Sequence, residues 1–301
     1  MDEDRFVHQP VLLGAVLDLL NPPADGIVID ATIGQAGHAA ALAERLGPEG
    51  VLIGLDVDPE SLGAARERLA GARCRVELVR ENFGRLGEVL DQLQIPKIHA
   101  ILADLGLSSA QLADPARGIS FQSEGPLDMR LDSRLKKTAA DLVNSLPQVE
   151  LANLIFRYGE ERASRRIARF IFDARRQGRI GTTGQLVEII NRALGITGKG
   201  HKSKINPATR TFQALRIAVN DELGQLENLL VAAPARLAAG GRIAVISFHS
   251  LEDRIIKLDF REKQAAGVYQ ILTKKPITAD EAEKSVNPRS RSAKLRGAGR
   301  I

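Results

Sequence analysis

The chain has 301 residues, 44% hydrophobic and 26% charged, enough to bury a real core in one large or two modest domains. Its single cysteine, Cys74, excludes an internal disulfide and a cysteine-based zinc site, which fits a reducing cytosol. A net charge of +5 and a pI near 9.5 point to a polyanionic partner, while no apolar run approaches the roughly 18 residues of a spanning helix.

Residues 1–20 begin acidic, carry Asp18 and lack a basic leader, so a soluble, cytoplasmic protein is expected. Four strand-like runs follow: GIVIDATIG (26–34), VLIGLDVD (51–58), VELVRENF (76–83) and HAILADLG (99–106). Their near-continuous apolar character suits a parallel sheet covered on both faces. Between them lie the helical patterns GHAAALAERL, PESLGAARERLAG and GRLGEVLDQLQ. Asp58 is placed to cap the second of these, with Pro59 in its first turn. Alternation of this kind predicts a doubly wound α/β domain.

A fifth strand, GRIAVISFHS (241–250), arrives only after a long interval, fed by a helix over 209–238 that breaks or ends near Pro234. About 135 residues separate strands four and five, where a βαβ crossover needs roughly 30. Residues 112–206 therefore read as a mainly helical second domain, inserted into a core made of 1–111 and 207–301. Within 157–180 there are eight arginines against three acids, and 199–204 (KGHKSK) and 284–301 are also basic. Each alone reads as a solvated helix face, a loop and a frayed terminus. Together they favour nucleic acid, with Arg165, Arg166, Arg169, Lys202, Lys204 and Arg210 as expected RNA contacts.

The turn ATIGQAGH (31–38) after Asp30 is glycine-rich, so a ligand can approach its backbone closely. Gly34 and Gly37 serve dinucleotides and S-adenosylmethionine equally well, and serve a plain turn too. Asp56, at the end of the second strand, suits ribose hydroxyls of either cofactor. Phe83 follows the third strand, where an aromatic face can lie against adenine or simply fill core. The fourth strand ends in Asp104-Leu105-Gly106-Leu107-Ser108-Ser109, with an acid at the carboxyl edge of the sheet. An amino-group methyltransferase has a direct use for that acid. The exocyclic nitrogen of cytosine is a poor nucleophile until its protons are held and its lone pair is turned towards the methyl donor.

Seven segments carry a resemblance over almost the whole chain. They are HQPVLL (8–13), DATIGQAGH (30–38), DLGLSSAQL (104–112), RGISF with GPLDMRLD (117–132), NPATRTFQALRIAVNDEL (206–223), SFHSLEDRIIK (247–257) and NPRSRSAKLR (287–296). In this order they resemble the ribosomal RNA small subunit methyltransferase H family. The resemblance implies a class I, Rossmann-like methyltransferase core with an inserted helical domain. It also implies S-adenosylmethionine as cofactor and the N4 amino group of a cytidine in the decoding centre of 16S rRNA as target, within the small ribosomal subunit. Cofactor contacts carry over to Ala36, Gly37, His38, Asp56, Phe83, Asp104 and Gln111, beside Gly34 in the same loop, and Asp104 is the catalytic candidate. The family's loop usually holds more glycine where this chain has Gln35 and Ala36.

Blander readings stand beside these. His38 reads as a helix-start residue, His249 as structural, and Glu252 and Asp253 as the start of the next helix. Asp128, Arg130 and Asp132 read as ordering a loop, and no metal is expected, since class I methyl transfer needs none. Monomer and homodimer stay open. Rival functions are a DNA cytosine-N4 or adenine-N6 methyltransferase, an RNA-binding assembly factor without catalysis, and a dehydrogenase. The first commonly has two prolines and an aromatic after the acid, where this chain has Leu105-Gly106-Leu107.

Overall fold

The computed structural model describes residues 10–196 and 206–301. After α1 (Leu13–Leu20) the chain alternates through β1 (Ile27–Asp30), α2 (Gly37–Arg45), β2 (Val51–Leu55), α3 (Pro59–Arg68), β3 (Arg75–Val79), α4 (Leu86–Gln92) and β4 (Ile98–Asp104). Each expected strand run holds a strand that stops where the sequence turns polar. Asp58 caps α3 as expected, its carboxylate accepting the Glu60 N–H at 3.2 Å.

Six helices come next: α5 (Ser109–Ala113), α6 (Ala139–Ser145), α7 (Gln148–Gly159), α8 (Ser164–Arg175), α9 (Thr183–Leu194) and α10 (Thr209–Asn220). The sheet then resumes after α11 (Glu222–Arg236) with β5 (Leu237–Ser247), α12 (Ser250–Ala265), β6 (Tyr269–Ile271), α13 (Glu281–Val286) and β7 (Lys294–Arg300). The seven strands lie in the order β3-β2-β1-β4-β5-β7-β6. β1 to β5 run parallel, and β7 pairs antiparallel with both β5 and β6.

Alternate residues of the buried strands feed opposite faces, which is why the runs are apolar throughout. Val28, Leu52 and Ala244 pack with α1, α2 and α3 on one side. Their neighbours Ile29, Ile53 and Val245 pack with α4, α11 and α12 on the other. This is the doubly wound α/β fold that the alternation of strands and helices predicted.

The chain divides into two compact units, one formed up to Gly106 together with Leu223–Ile301, the other by Leu107–Glu222. The second encloses its own core, with Val143, Ile155, Ile167, Ile171, Ile190 and Leu215 fully buried. It is wider than the expected 112–206 because α10 packs on α7, where Gly159 leaves room for the Arg210 carbonyl. The helix expected over 209–238 is in fact two. It breaks at Asp221, which takes a left-handed conformation (φ 50°) that acidic and amide side chains tolerate. Asn220 anchors the break, donating to Met129 O at 2.8 Å and accepting from Leu131 N. Pro234 lies inside α11, two residues before its end.

A second correction concerns the basic tail. Residues 294–300 are not a frayed terminus but the strand β7, between β5 and β6. Arg296 is only 7% exposed and its Nε donates to Asp253 at 2.6 Å, so that charge is spent inside the unit. Gly297 has no room for a Cβ, which would meet the Leu19 side chain at 2.3 Å. Among the described residues no helix is long and apolar enough to cross a membrane.

Candidate active site

The carboxyl ends of β1, β2 and β4 bring most of the expected residues to one edge of the first unit. Past β1 the chain turns through Gly34 (φ 47°) and Ala36 (φ 58°) into α2. A left-handed alanine costs about 1 kcal/mol more than glycine would, so the loop keeps the glycine-type backbone despite its substituted sequence. Asp56 holds that loop: Oδ2 accepts the Gly34 N–H at 3.0 Å and Oδ1 the Asp58 N–H at 2.9 Å. Phe83 begins a short 3₁₀ turn after β3 and packs half-buried against the core of this unit.

Asp104 ends β4, and its backbone N–H donates to Thr32 Oγ1 at 2.7 Å. Its Oδ1 is shielded from solvent without a hydrogen-bond partner among the described residues. Its Oδ2 lies 3.6 Å from Nδ1 of buried His38. The other ring nitrogen, Nε2, is 2.8 Å from Val11 O and donates to it. That bond leaves Nδ1 as the unprotonated nitrogen of the neutral ring, facing the carboxyl. Burial lowers the His38 pKa, so the neutral form is favoured.

Burial pushes the Asp104 carboxyl up to about 7, with Arg289 opposing and Glu252 adding to the rise. Burial also raises Asp30 to about 6, and repulsion from Asp104 and Asp56 contributes there. Asp56 is raised to about 6 by burial, against the N–H bonds from Asp58 and Gly34. Three carboxyls at one edge, one of them with an orphaned oxygen, fit a cationic ligand. Gly34 and Ala36 open the backbone beside them.

A pH dependence follows. All three carboxyls hold their protons to higher pH in the folded chain than unfolded, where 3.8 is ordinary. The folded chain thus binds more protons between about pH 4 and 7, and its stability falls as pH rises through that window. A bound cation favours the charged carboxylates. Cofactor binding at about pH 6 therefore releases protons, and affinity rises towards about pH 8. Calorimetry in two buffers of different ionisation enthalpy measures this, and no release would mean the carboxyls are already ionised in the free protein.

The chain matches the MraW methylase family over residues 5–301. It belongs to that family. Two relatives, from Sorangium cellulosum and Geotalea uraniireducens, are each named ribosomal RNA small subunit methyltransferase H. The first is 51% identical, over 98% of this chain and 91% of its own; the second is 47% identical, over 98% and 99%. A relative of the same name from Geobacter sulfurreducens is 48% identical, over 98% and 99%. MraW-family enzymes are S-adenosylmethionine-dependent methyltransferases, and S-adenosylmethionine is the cofactor here.

Other expected residues lie in the second unit or at the start of α12. Gln111 belongs to the second unit, 7% exposed, where its Oε1 accepts the Ser108 N–H in a capping box that starts α5. Asp128 and Arg130 form a two-point ion pair, both contacts 2.7 Å, and Arg134 pairs with Asp132. That segment is an ordered loop, as its sequence suggested. His249 caps α12, and Glu252 accepts the Phe248 and His249 N–H groups, so both stand at the helix start. Thr32, Val11 and Arg289 were missed. All three lie in segments the sequence had flagged, HQPVLL, DATIGQAGH and NPRSRSAKLR, but none had been given a role of its own there.

The arginines of α8 divide by role. Arg165, Arg166 and Arg169 are exposed, the last two 5.9 and 5.6 Å from the Phe170 ring. Arg175 instead donates to the Val143 and Leu146 carbonyls. Arg210 lies 3.9 Å from Glu161. Lys202 and Lys204 fall outside the described residues.

Proposed function

We propose that this chain is a cytoplasmic enzyme that methylates the N4 amino group of a cytidine in the decoding centre of 16S rRNA. The names of its relatives and the sequence resemblance support the RNA. The observation that carries the chemistry is Asp104, with a shielded, partnerless oxygen at the carboxyl edge. Leaving such an atom unsatisfied costs about 1–3 kcal/mol, which a substrate amino group would recover.

S-adenosylmethionine supplies an electrophilic methyl group on a sulfonium. Asp104 accepts a hydrogen bond from the amino group and turns its lone pair towards that methyl. As the new N–C bond forms, the bond from the methyl to the sulfonium would break, its electron pair staying on sulfur as a neutral thioether, and the nitrogen would shed a proton that Asp104 Oδ1 is placed to take. His38, donating from Nε2 to Val11 O, presents its unprotonated Nδ1 3.6 Å from Oδ2. No metal enters these steps.

Nucleotide mapping of 16S rRNA from cells with and without the gene tests the function. The expected result is loss of N4 methylation at one decoding-centre cytidine; an unchanged map, or transfer to free DNA instead, would overturn the reading.

The exposed arginines of α8 are assigned to phosphates. Changing Arg165, Arg166 and Arg169 together to Gln should reduce the slope of log affinity against log salt by about 0.7–0.9 for every phosphate no longer neutralised. S-adenosylmethionine affinity should hold. An unaltered slope would make this helix face merely solvated.

A further inference from the structure

A second basic feature lies in the first unit, away from the carboxyl edge. The outer half of α12 and the segment after β6 enclose a pocket of about 250 Å³. Lys257, Arg261 and Lys274 line it together with Arg296, whose own charge Asp253 already neutralises, and no carboxylate lines it. Among the described residues Lys257, Arg261 and Lys274 form no ion pair. Lys257 and Arg261 stand four residues apart on one helix face, where like charges repel.

The neutral polar groups point the same way. Gln264 Oε1 accepts the Ile271 N–H at 3.1 Å, which leaves its amide N–H₂ to donate. Thr273 Oγ1 accepts the Gly297 N–H at 3.0 Å, so the hydroxyl proton is also left to donate. Every polar lining group therefore offers a hydrogen or a positive charge, over an apolar floor of buried Phe260. Only an anion answers such a set.

We infer that this pocket binds a backbone phosphodiester of the RNA substrate, a few nucleotides from the methylated base. Its position supports an extended strand. α12 starts at the end of β5, whose Ile246 pairs with Asp104. At a rise of about 1.5 Å per residue, Lys257 lies roughly 12 Å and Arg261 roughly 18 Å along the helix from His249. The inference rests on the RNA reading above for its ligand, and the test keeps the two apart.

The double variant Lys257→Gln/Arg261→Gln is titrated with a labelled single-stranded RNA at several salt concentrations, which needs no methyl transfer. The expected slope falls by about 0.7 for each phosphate that the variant no longer neutralises. In turnover on unmodified small ribosomal subunits, KM for the subunit rises while kcat and S-adenosylmethionine affinity hold. The charge-keeping pair Lys257→Arg/Arg261→Lys should restore the slope. An unchanged slope in the Gln variant overturns the pocket, whether or not the wild type methylates rRNA. A change in oligomeric state by light scattering, with RNA binding intact, also overturns it and makes this face a contact between copies. If the slope falls yet the wild type transfers no methyl to the subunit, the pocket stands and the proposed target falls.

Discussion

At saturating S-adenosylmethionine, Asp104→Asn should lower the single-turnover methylation rate by at least about 100-fold, the low end for a positioned proton acceptor. The amide keeps the size of the carboxyl and its place after β4. It loses the charge and the ability to take the departing proton at Oδ1. RNA affinity should fall little, because phosphate contacts dominate it. Saturation matters, since Asp104 belongs to a carboxyl group that also suits the cofactor's positive charge. A normal rate there, with only a raised cofactor requirement, would leave Asp104 as a binding residue. The same variant should lose part of the fall in stability between about pH 4 and 7, as one raised carboxyl has been removed.

The sequence was most legible where one physical demand acted alone. β1, β2, β4 and the second half of β5 are buried on both faces, so their runs are almost wholly apolar, whereas β3, at the sheet edge, is half-exposed and carries Arg75 and Glu77. Asp58-Pro59 declared the start of α3, because capping is local chemistry. β7 was illegible for the opposite reason. Its sequence, KLRGAGR, carries three cations and two glycines, which reads as a loose tail. Long-range partners make it a strand: Asp253 neutralises Arg296, and Leu19 packs against the bare Gly297 backbone. The break between α10 and α11 was hidden likewise, since no proline or glycine marks it. Asn220 makes it by reaching residues about ninety positions away.

The site followed the same division. Asp56 and Asp104 were readable because a strand end fixes where their side chains begin. What else they touch was not. The Val11–His38–Asp104 line joins three separate segments, and only the fold sets its distances. Gln111 shows the converse, since the resemblance marks it as a cofactor contact while its side chain also closes a capping box at α5.

Asp56→Ala should weaken S-adenosylmethionine by about 1.5–3 kcal/mol, the range for hydrogen bonds to a charged group, or roughly 10- to 150-fold. Two causes would give this loss. Asp56 is placed to accept ribose hydroxyls, and it also ties down the loop through the Gly34 and Asp58 N–H groups. A cofactor analogue lacking both ribose hydroxyls separates them. If Asp56 holds the ribose, the analogue binds weakly to the wild type, and Asp56→Ala costs it little more. If Asp56 only holds the loop, the substitution weakens cofactor and analogue by the same factor. The first result is expected, because a carboxylate oxygen that accepts one backbone N–H keeps a second lone pair for a hydroxyl. An unchanged dissociation constant for S-adenosylmethionine would place the ribose elsewhere and show that the loop keeps its shape without this carboxylate.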